Sequence, residues 1–301
     1  MLKKVVIILE RKIPKGEMDA FRKMLKEEAI DSLWYIAENE SSIGVDANTN
    51  EFKIEEILAE LAEENGKRRK NYGTLFISND PEICRLAIEG GCSCIAYLGM
   101  RMKDDNFDGI RYAVESLENI DGIYLDRICR RYAGLPWEIL RTERCIVREM
   151  TTEDVDSFYE IYKDPSITAY MEGLYPAKEQ EVEYIKKYIK NIYGFFEYGL
   201  WSIQEKKSGK IIGRAGISWR EETGMVELGY VIAKSYQRQG YAFEVCSAIL
   251  QYAKEELGIE QVAAYIKEEN NASKALCQKL QFKKKGKKLV RNRWYEEWLK
   301  I

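Results

Sequence analysis

A chain of 301 residues is about twice what a single domain needs, so two domains are expected, each with its own core. Apolar residues make up 46% and charged residues 32%, an ordinary globular profile, while a net charge of −3 and an isoelectric point near 5.6 argue against a nucleic-acid binder. Histidine is absent, which removes Ser-His-Asp and Cys-His catalysis and His-ligated metal sites. A general base must then be a carboxylate, a lysine, a tyrosine or a thiol.

The chain opens on an apolar run, Val5 to Leu9, closed by Glu10, Arg11 and Lys12. It is too short for a signal peptide and reads as a buried strand. No stretch approaches the ~18 apolar residues of a membrane span, so a cytoplasmic protein without a membrane partner is expected. Seven cysteines, an odd number without framework spacing, suit reduced thiols. Cys92 and Cys94 lie in an apolar run and read as core. Strands are predicted over 4–9, 32–37, 73–78 and 93–98, with helical patterns near 16–28, 53–64, 81–89 and 121–132. Such alternation implies a Rossmann-like parallel sheet with covering helices over residues 1–136.

Gly134-Leu-Pro136-Trp137 breaks the last helix and marks the boundary, and the second domain is predicted over 142–301. A strand is expected over 144–149. Thr151 with Asp154 three residues on has capping-box form, and a helix should follow to Tyr162. A second amphipathic helix carries Val182, Ile185, Tyr188, Ile189 and Ile192 on one stripe. Strands over 200–205, 211–219 and 225–233 follow, joined by the Lys206–Gly209 and Glu221–Gly224 turns. The basic run from Lys283 to Lys288 reads as a solvated hairpin turn. Trp201, Trp219 and Tyr230 read as core aromatics.

The strand ending at Ala233 runs into Gln237-Arg238-Gln239-Gly240-Tyr241-Ala242, and a long helix begins there with Val245, Cys246, Ile249 and Leu250 on one face. Unpaired N–H groups and the helix dipole at such a junction suit a pyrophosphate, and Gly240 and Ala242 let it approach the backbone. Glu227 is the one charged residue of its strand. It is either a buried carboxylate of raised pKa, able to take a proton, or a glutamate on a wet face. Ser273 is either a hydroxyl donor or the N-cap of a helix over 274–280, and Asn270 is either a ligand-orienting amide or a turn residue.

In this region the sequence resembles the GNAT acetyltransferase superfamily. The Gln237–Ala242 segment matches its coenzyme-A loop. Asn270-Asn-Ala-Ser273, Lys279-Leu-Gln-Phe282 and Glu227-Leu-Gly-Tyr230 match the branch that contains ribosomal-protein N-terminal acetyltransferases, although Gln281 replaces the usual glycine. The resemblance implies an α+β domain with a central mixed, mostly antiparallel sheet. It implies acetyl-CoA as cosubstrate, no metal, and transfer of acetyl to a primary amine by direct attack. The amine would belong to a small molecule, a protein N-terminus or a lysine. Glu227 would be the base, Val231 would supply the backbone N–H for the thioester carbonyl, and Ser273 would be the acid for the leaving thiol. Asn270 would orient the pantetheine arm. Many relatives place a tyrosine where Cys277 stands here. The alternative is a non-catalytic module that senses CoA or a metabolite, and a homodimer is compatible with either.

In the first half, Thr74 to Asp80, the helix Pro81 to Gly91 and the strand Cys94 to Leu98 resemble a late segment of haloacid-dehalogenase-like (HAD) domains. That family's chemistry needs an aspartate at the end of strand one. Here Glu10-Arg-Lys12 follows, and the turn Ser78-Asn79-Asp80 keeps one carboxylate. A phospho-aspartyl intermediate cannot form, and a catalytically inert module is expected.

Overall fold

The computed structural model describes residues 1–9, 13–36, 71–99 and 106–301, with positions 56 and 59. It divides into two compact units, Met1–Leu135 and Pro136–Ile301. In the first unit β1 (Lys4–Leu9), β2 (Asp31–Ile36), β3 (Asn71–Ser78), β4 (Cys92–Tyr97) and the short β5 (Ala113–Val114) form a parallel sheet ordered β2-β1-β3-β4-β5. The inner strands β1, β3 and β4 are buried on both sides because helices cover both, whereas β2 at the edge is partly exposed. Val5, Ile7 and Leu9 meet Phe21 and Leu25 of α1 (Lys15–Glu27) and Leu125 and Ile128 of α3 (Gly122–Tyr132). Val6 and Ile8 meet Ile83, Cys84 and Ala87 of α2 (Pro81–Glu89), with Cys92 and Cys94 in the same cluster. Asp80 caps α2, accepting the Glu82 N–H at 2.7 Å. Apart from positions 56 and 59, the helix expected over 53–64 lies outside the described residues, as do Glu10 to Lys12.

The second unit is built on an eight-stranded sheet ordered β12-β13-β11-β10-β9-β8-β7-β6. Its strands are β6 (Glu138–Arg141), β7 (Cys145–Arg148), β8 (Leu200–Glu205), β9 (Ile211–Arg220), β10 (Met225–Ile232), β11 (Val262–Ile266), β12 (Lys283–Val290) and β13 (Arg293–Lys300). Every pairing is antiparallel except β10 with β11. Helices α4 (Val155–Tyr162), α5 (Pro165–Thr168) and α6 (Lys178–Tyr188) come between β7 and β8, α7 (Tyr241–Glu255) between β10 and β11, and α8 (Asn271–Lys279) between β11 and β12. Ring contacts show which face each helix covers. The Arg214 guanidinium of β9 lies 4.6 Å from the Phe158 ring of α4. Trp201 of β8, fully buried, meets Tyr252 of α7 edge-on at 6.0 Å. Among the described residues no helix is long and apolar enough to cross a membrane.

Three expectations need correction. A strand, β6, precedes the one foreseen at 144–149; at four residues it is too short to show a period. The basic run from Lys283 to Lys288 is an edge strand, and the chain turns at Arg291 and Asn292, both of positive φ. Lys284 bonds Glu296 and Lys287 bonds Glu268, and a lysine-rich edge discourages pairing with further strands. Trp219 is 48% exposed and is not core.

The capping box at the start of α4 does more than begin a helix. Asp154 is buried and accepts from the Thr151 N–H at 3.0 Å, the Ser202 hydroxyl at 2.7 Å and both Nη atoms of Arg148 at 2.8 and 2.7 Å. It thereby ties α4 to β7 and β8. Removing one partner of a buried pair strands the other charge. Asp154→Asn is expected to cost about 3 kcal/mol in the urea unfolding of the second unit, followed by the fluorescence of its tryptophans; a loss under about 0.5 kcal/mol would place Arg148 in water rather than in the core.

Candidate active site

The Glu221–Gly224 turn folds β10 back on β9, and Gly224 adopts φ 65°, which glycine reaches without strain. β10 then pairs with β9 along its whole length, from Met225 opposite Arg220 to Ile232 opposite Gly213. On its other side it pairs with β11 only through Val226 with Val262 and Glu227 with Ala263. Beyond Glu227 the two strands part. The edge of β10 from Leu228 to Ile232 is left facing a cleft, where an extended ligand can meet the backbone N–H and C=O groups.

The cleft leads to the loop and helix start foreseen in the sequence. Gln237 is extended, Arg238 has φ 60° and Gly240 φ 88°. Gly240 is the N-cap of α7 and makes no side-chain cap, so the first N–H groups of that helix remain open to an anion. The loop is held from behind. Gln237 Nε2 donates to the Ile232 carbonyl at 2.9 Å and Gln239 Nε2 to the Ser235 carbonyl at 2.7 Å. Arg144 donates to the Gln239 carbonyl at 2.9 Å, pairs with Glu244 of α7 at 2.6 Å and stacks 4.1 Å from the Tyr241 ring. Tyr241 in turn donates to Glu205 at 2.6 Å. The Arg144–Glu244 brace spans a hundred positions, and nothing in the sequence signals it.

Alternation along β10 puts Glu227, Gly229 and Val231 on one face and Val226, Leu228 and Tyr230 on the other. On the first face Gly229 stands opposite Gly216 and Val231 opposite Arg214, and the Leu200 side chain covers Gly229, its Cδ2 lying 3.5 Å from where a Cβ would stand. A Cβ at Gly216 would run into the Gly199 carbonyl. Glu227 has 13% of its side chain exposed and accepts from Arg220 Nε. Burial raises its carboxyl above the ordinary range, against the opposing pull of Arg220. Nearby, Arg291 of the last hairpin reaches Glu222 at 3.3 Å and Glu172 at 3.5 Å, which ties three loops together beside the pair.

On the opposite face the Tyr230 hydroxyl donates to Ser273 Oγ at 3.0 Å. The helix at Ser273 starts earlier than predicted. Its N-cap is Asn270, whose Oδ1 accepts the Ser273 N–H at 3.1 Å, so the capping role considered for Ser273 belongs to Asn270. Cys277 is buried, and burial pushes its thiol up to about 12. Gln281 takes φ 67° where a glycine would be unstrained. Among the described residues no cluster of side chains is suited to a metal ion.

A family profile described as an acetyltransferase (GNAT) domain matches residues 144–283. The protein YkkB of Bacillus subtilis is 30% identical over 144 residues, 47% of this chain and 83% of its own. The second half of the chain carries a GNAT acetyltransferase domain. An uncharacterized N-acetyltransferase of the same organism, YoaA, is 29% identical over 155 residues, covering 49% of this chain and 84% of that one. The crystal structure of an acetyltransferase from Agrobacterium tumefaciens covers 54% of this chain and 93% of its own, with 22% identity and a TM-score of 0.48. The family model and the N-acetyltransferase relatives make the second unit an N-acetyltransferase, and enzymes of this family take the acetyl group from acetyl-CoA. Arg220→Met removes the attraction that opposes burial, so the Glu227 titration should move to higher pH, read from its ¹³C carboxyl shift. An unchanged or lower midpoint would mean that Arg220 does not hold the carboxylate.

Proposed function

We propose that the second unit transfers acetyl from acetyl-CoA to a primary amine by direct attack, with the thioester lying in the cleft between β10 and β11. The fork at Glu227 carries this reading: one carboxylate stands where the two strands part, and the opened edge leads to an uncapped helix start. The N–H groups around Arg238 to Ala242 receive the pyrophosphate, braced by Arg144, with Gln237 and Gln239 shaping the loop. The pantetheine arm extends along β10 past Asn270, and the Val231 N–H meets the thioester oxygen as charge develops there.

An amine of pKa near 10.4 must lose its proton to attack at neutral pH. Glu227, raised by burial yet ionised in its pair with Arg220, takes that proton. Activity therefore rises with pH as Glu227 ionises, and its acid limb lies above the ordinary carboxylate range. On the other face Ser273 meets the sulfur; Cys277, which holds its proton to about 12, is a poor donor to a thiolate whose own pKa is near 8.5. For the first unit, the parallel sheet and the use of Asp80 as a helix cap support a HAD-like fold without that family's phosphoryl chemistry.

The test is Glu227→Gln, assayed by thiol release from acetyl-CoA against a panel of primary amines and peptides with free N-termini. The acceptor that supports turnover should lose kcat by about 10²- to 10³-fold, with acetyl-CoA affinity intact. An undiminished kcat would remove Glu227 as the base. In the wild type, acetyl-CoA at 100 times its dissociation constant should add about 2.7 kcal/mol to the stability of the second unit, a shift of a few degrees. No shift up to millimolar coenzyme would dismiss the site.

A further inference from the structure

Tyr230 and Ser273 come from opposite arms of the cleft. Tyr230 lies on β10, on the face away from Glu227, and Ser273 lies in the first turn of α8, the helix that follows β11. Their hydroxyls meet at 3.0 Å. Ser273 is fixed twice, since its N–H is held by Asn270 and its Oγ accepts from the phenol. A hydroxyl has one proton to give, so when Oγ accepts from Tyr230 its own O–H must point elsewhere. Tyr230 keeps its proton, and so its capacity to donate, throughout the neutral range. Burial, and next the contact with Ser273, set its acidity, and burial prevails to raise the phenol well above its ordinary value. Neither Cys246 nor Cys277, the other titratable groups beside it, competes: burial raises both thiols.

We propose that Tyr230 is a positioning residue for the departing sulfur, turning the Ser273 O–H toward the coenzyme's thiol end. The inference rests on the acetyl-CoA reading above. In the step, the amine nitrogen bonds to the thioester carbonyl carbon, the carbon–sulfur bond breaks, and its electron pair leaves on sulfur. The amine's proton goes to Glu227. The thiolate departs hydrogen-bonded to the Ser273 hydroxyl, which keeps its proton. Base and leaving-group contact thus work from opposite faces of one strand. The amine approaches from the side of Glu227 and the thiol leaves toward α8.

Free CoA is the probe, because it carries the thiol and needs no acceptor. Its affinity and that of acetyl-CoA are measured by calorimetry between pH 6.5 and about 9.5, a window that spans the ordinary thiol pKa near 8.5. A thiolate stabilised in the site has a lower pKa bound than free, so CoA should gain on acetyl-CoA as pH rises through this window. Tyr230→Phe and Ser273→Ala should each remove about tenfold of that gain, read as the ratio of CoA to acetyl-CoA affinity across the pH range. The double variant should lose no more than either single one. If Tyr230→Phe binds CoA with the wild-type pH profile, the inference is wrong and the acetyl-transfer reading stands. Should Tyr230→Phe fail to fold, Ser273→Ala decides alone, and an unchanged profile overturns the inference. If neither CoA nor acetyl-CoA binds the wild type, both readings fall together.

Discussion

The short pairing of β10 with β11 is the constraint on which the second unit depends. Two parallel strands that kept their ladder would fill each other's backbone groups and leave no room for a ligand. Here the ladder stops after two residue pairs, at the one position of β10 that carries a charge. α7 follows β10 and α8 follows β11, and both lie on the face of the sheet that carries Trp201 and Tyr230. β9 pairs with β10 along its whole length, and β13 does the same for β11, so each arm of the cleft is backed by a strand.

Electrostatics then give the two ends of the cleft different characters. At the loop end, cation and dipole combine. Arg144 is braced by Glu244 and by the Tyr241 ring, and the open start of α7 adds its partial positive charge. At the fork, Glu227 is buried enough to resist ionisation and paired closely enough to Arg220 to accept it. A carboxylate balanced between these influences takes up and releases a proton more readily near neutrality than one in water. The Arg291 contacts with Glu172 and Glu222 join the loops around that end, so the surroundings of Glu227 come from three separate segments of chain.

Much of this was legible in the sequence where the signal is local. The strand 4–9, the strand Leu200–Glu205 and the capping box at Thr151 are set by neighbouring residues, and the structure has them as expected. The loop before α7 was legible because its small residues and the following apolar stripe are contiguous. What could not be read joins distant positions. Arg144 with Glu244, Arg220 with Glu227 across a hairpin, and Tyr230 with Ser273 depend on which strands become neighbours. The basic edge strand was misread for a related reason: a run of lysines looks solvated, and it is solvated, but the ladder to β13 keeps it extended.

Amide hydrogen exchange with and without acetyl-CoA tests the central claim most directly, because it reports on individual backbone donors. Protection should appear in the amides from Leu228 to Ile232, along the open edge of β10, and from Arg238 to Ala242 at the start of α7, with β9 and the first unit unchanged. Protection that spared both segments, or appeared only elsewhere in the chain, would contradict a coenzyme lying in the cleft.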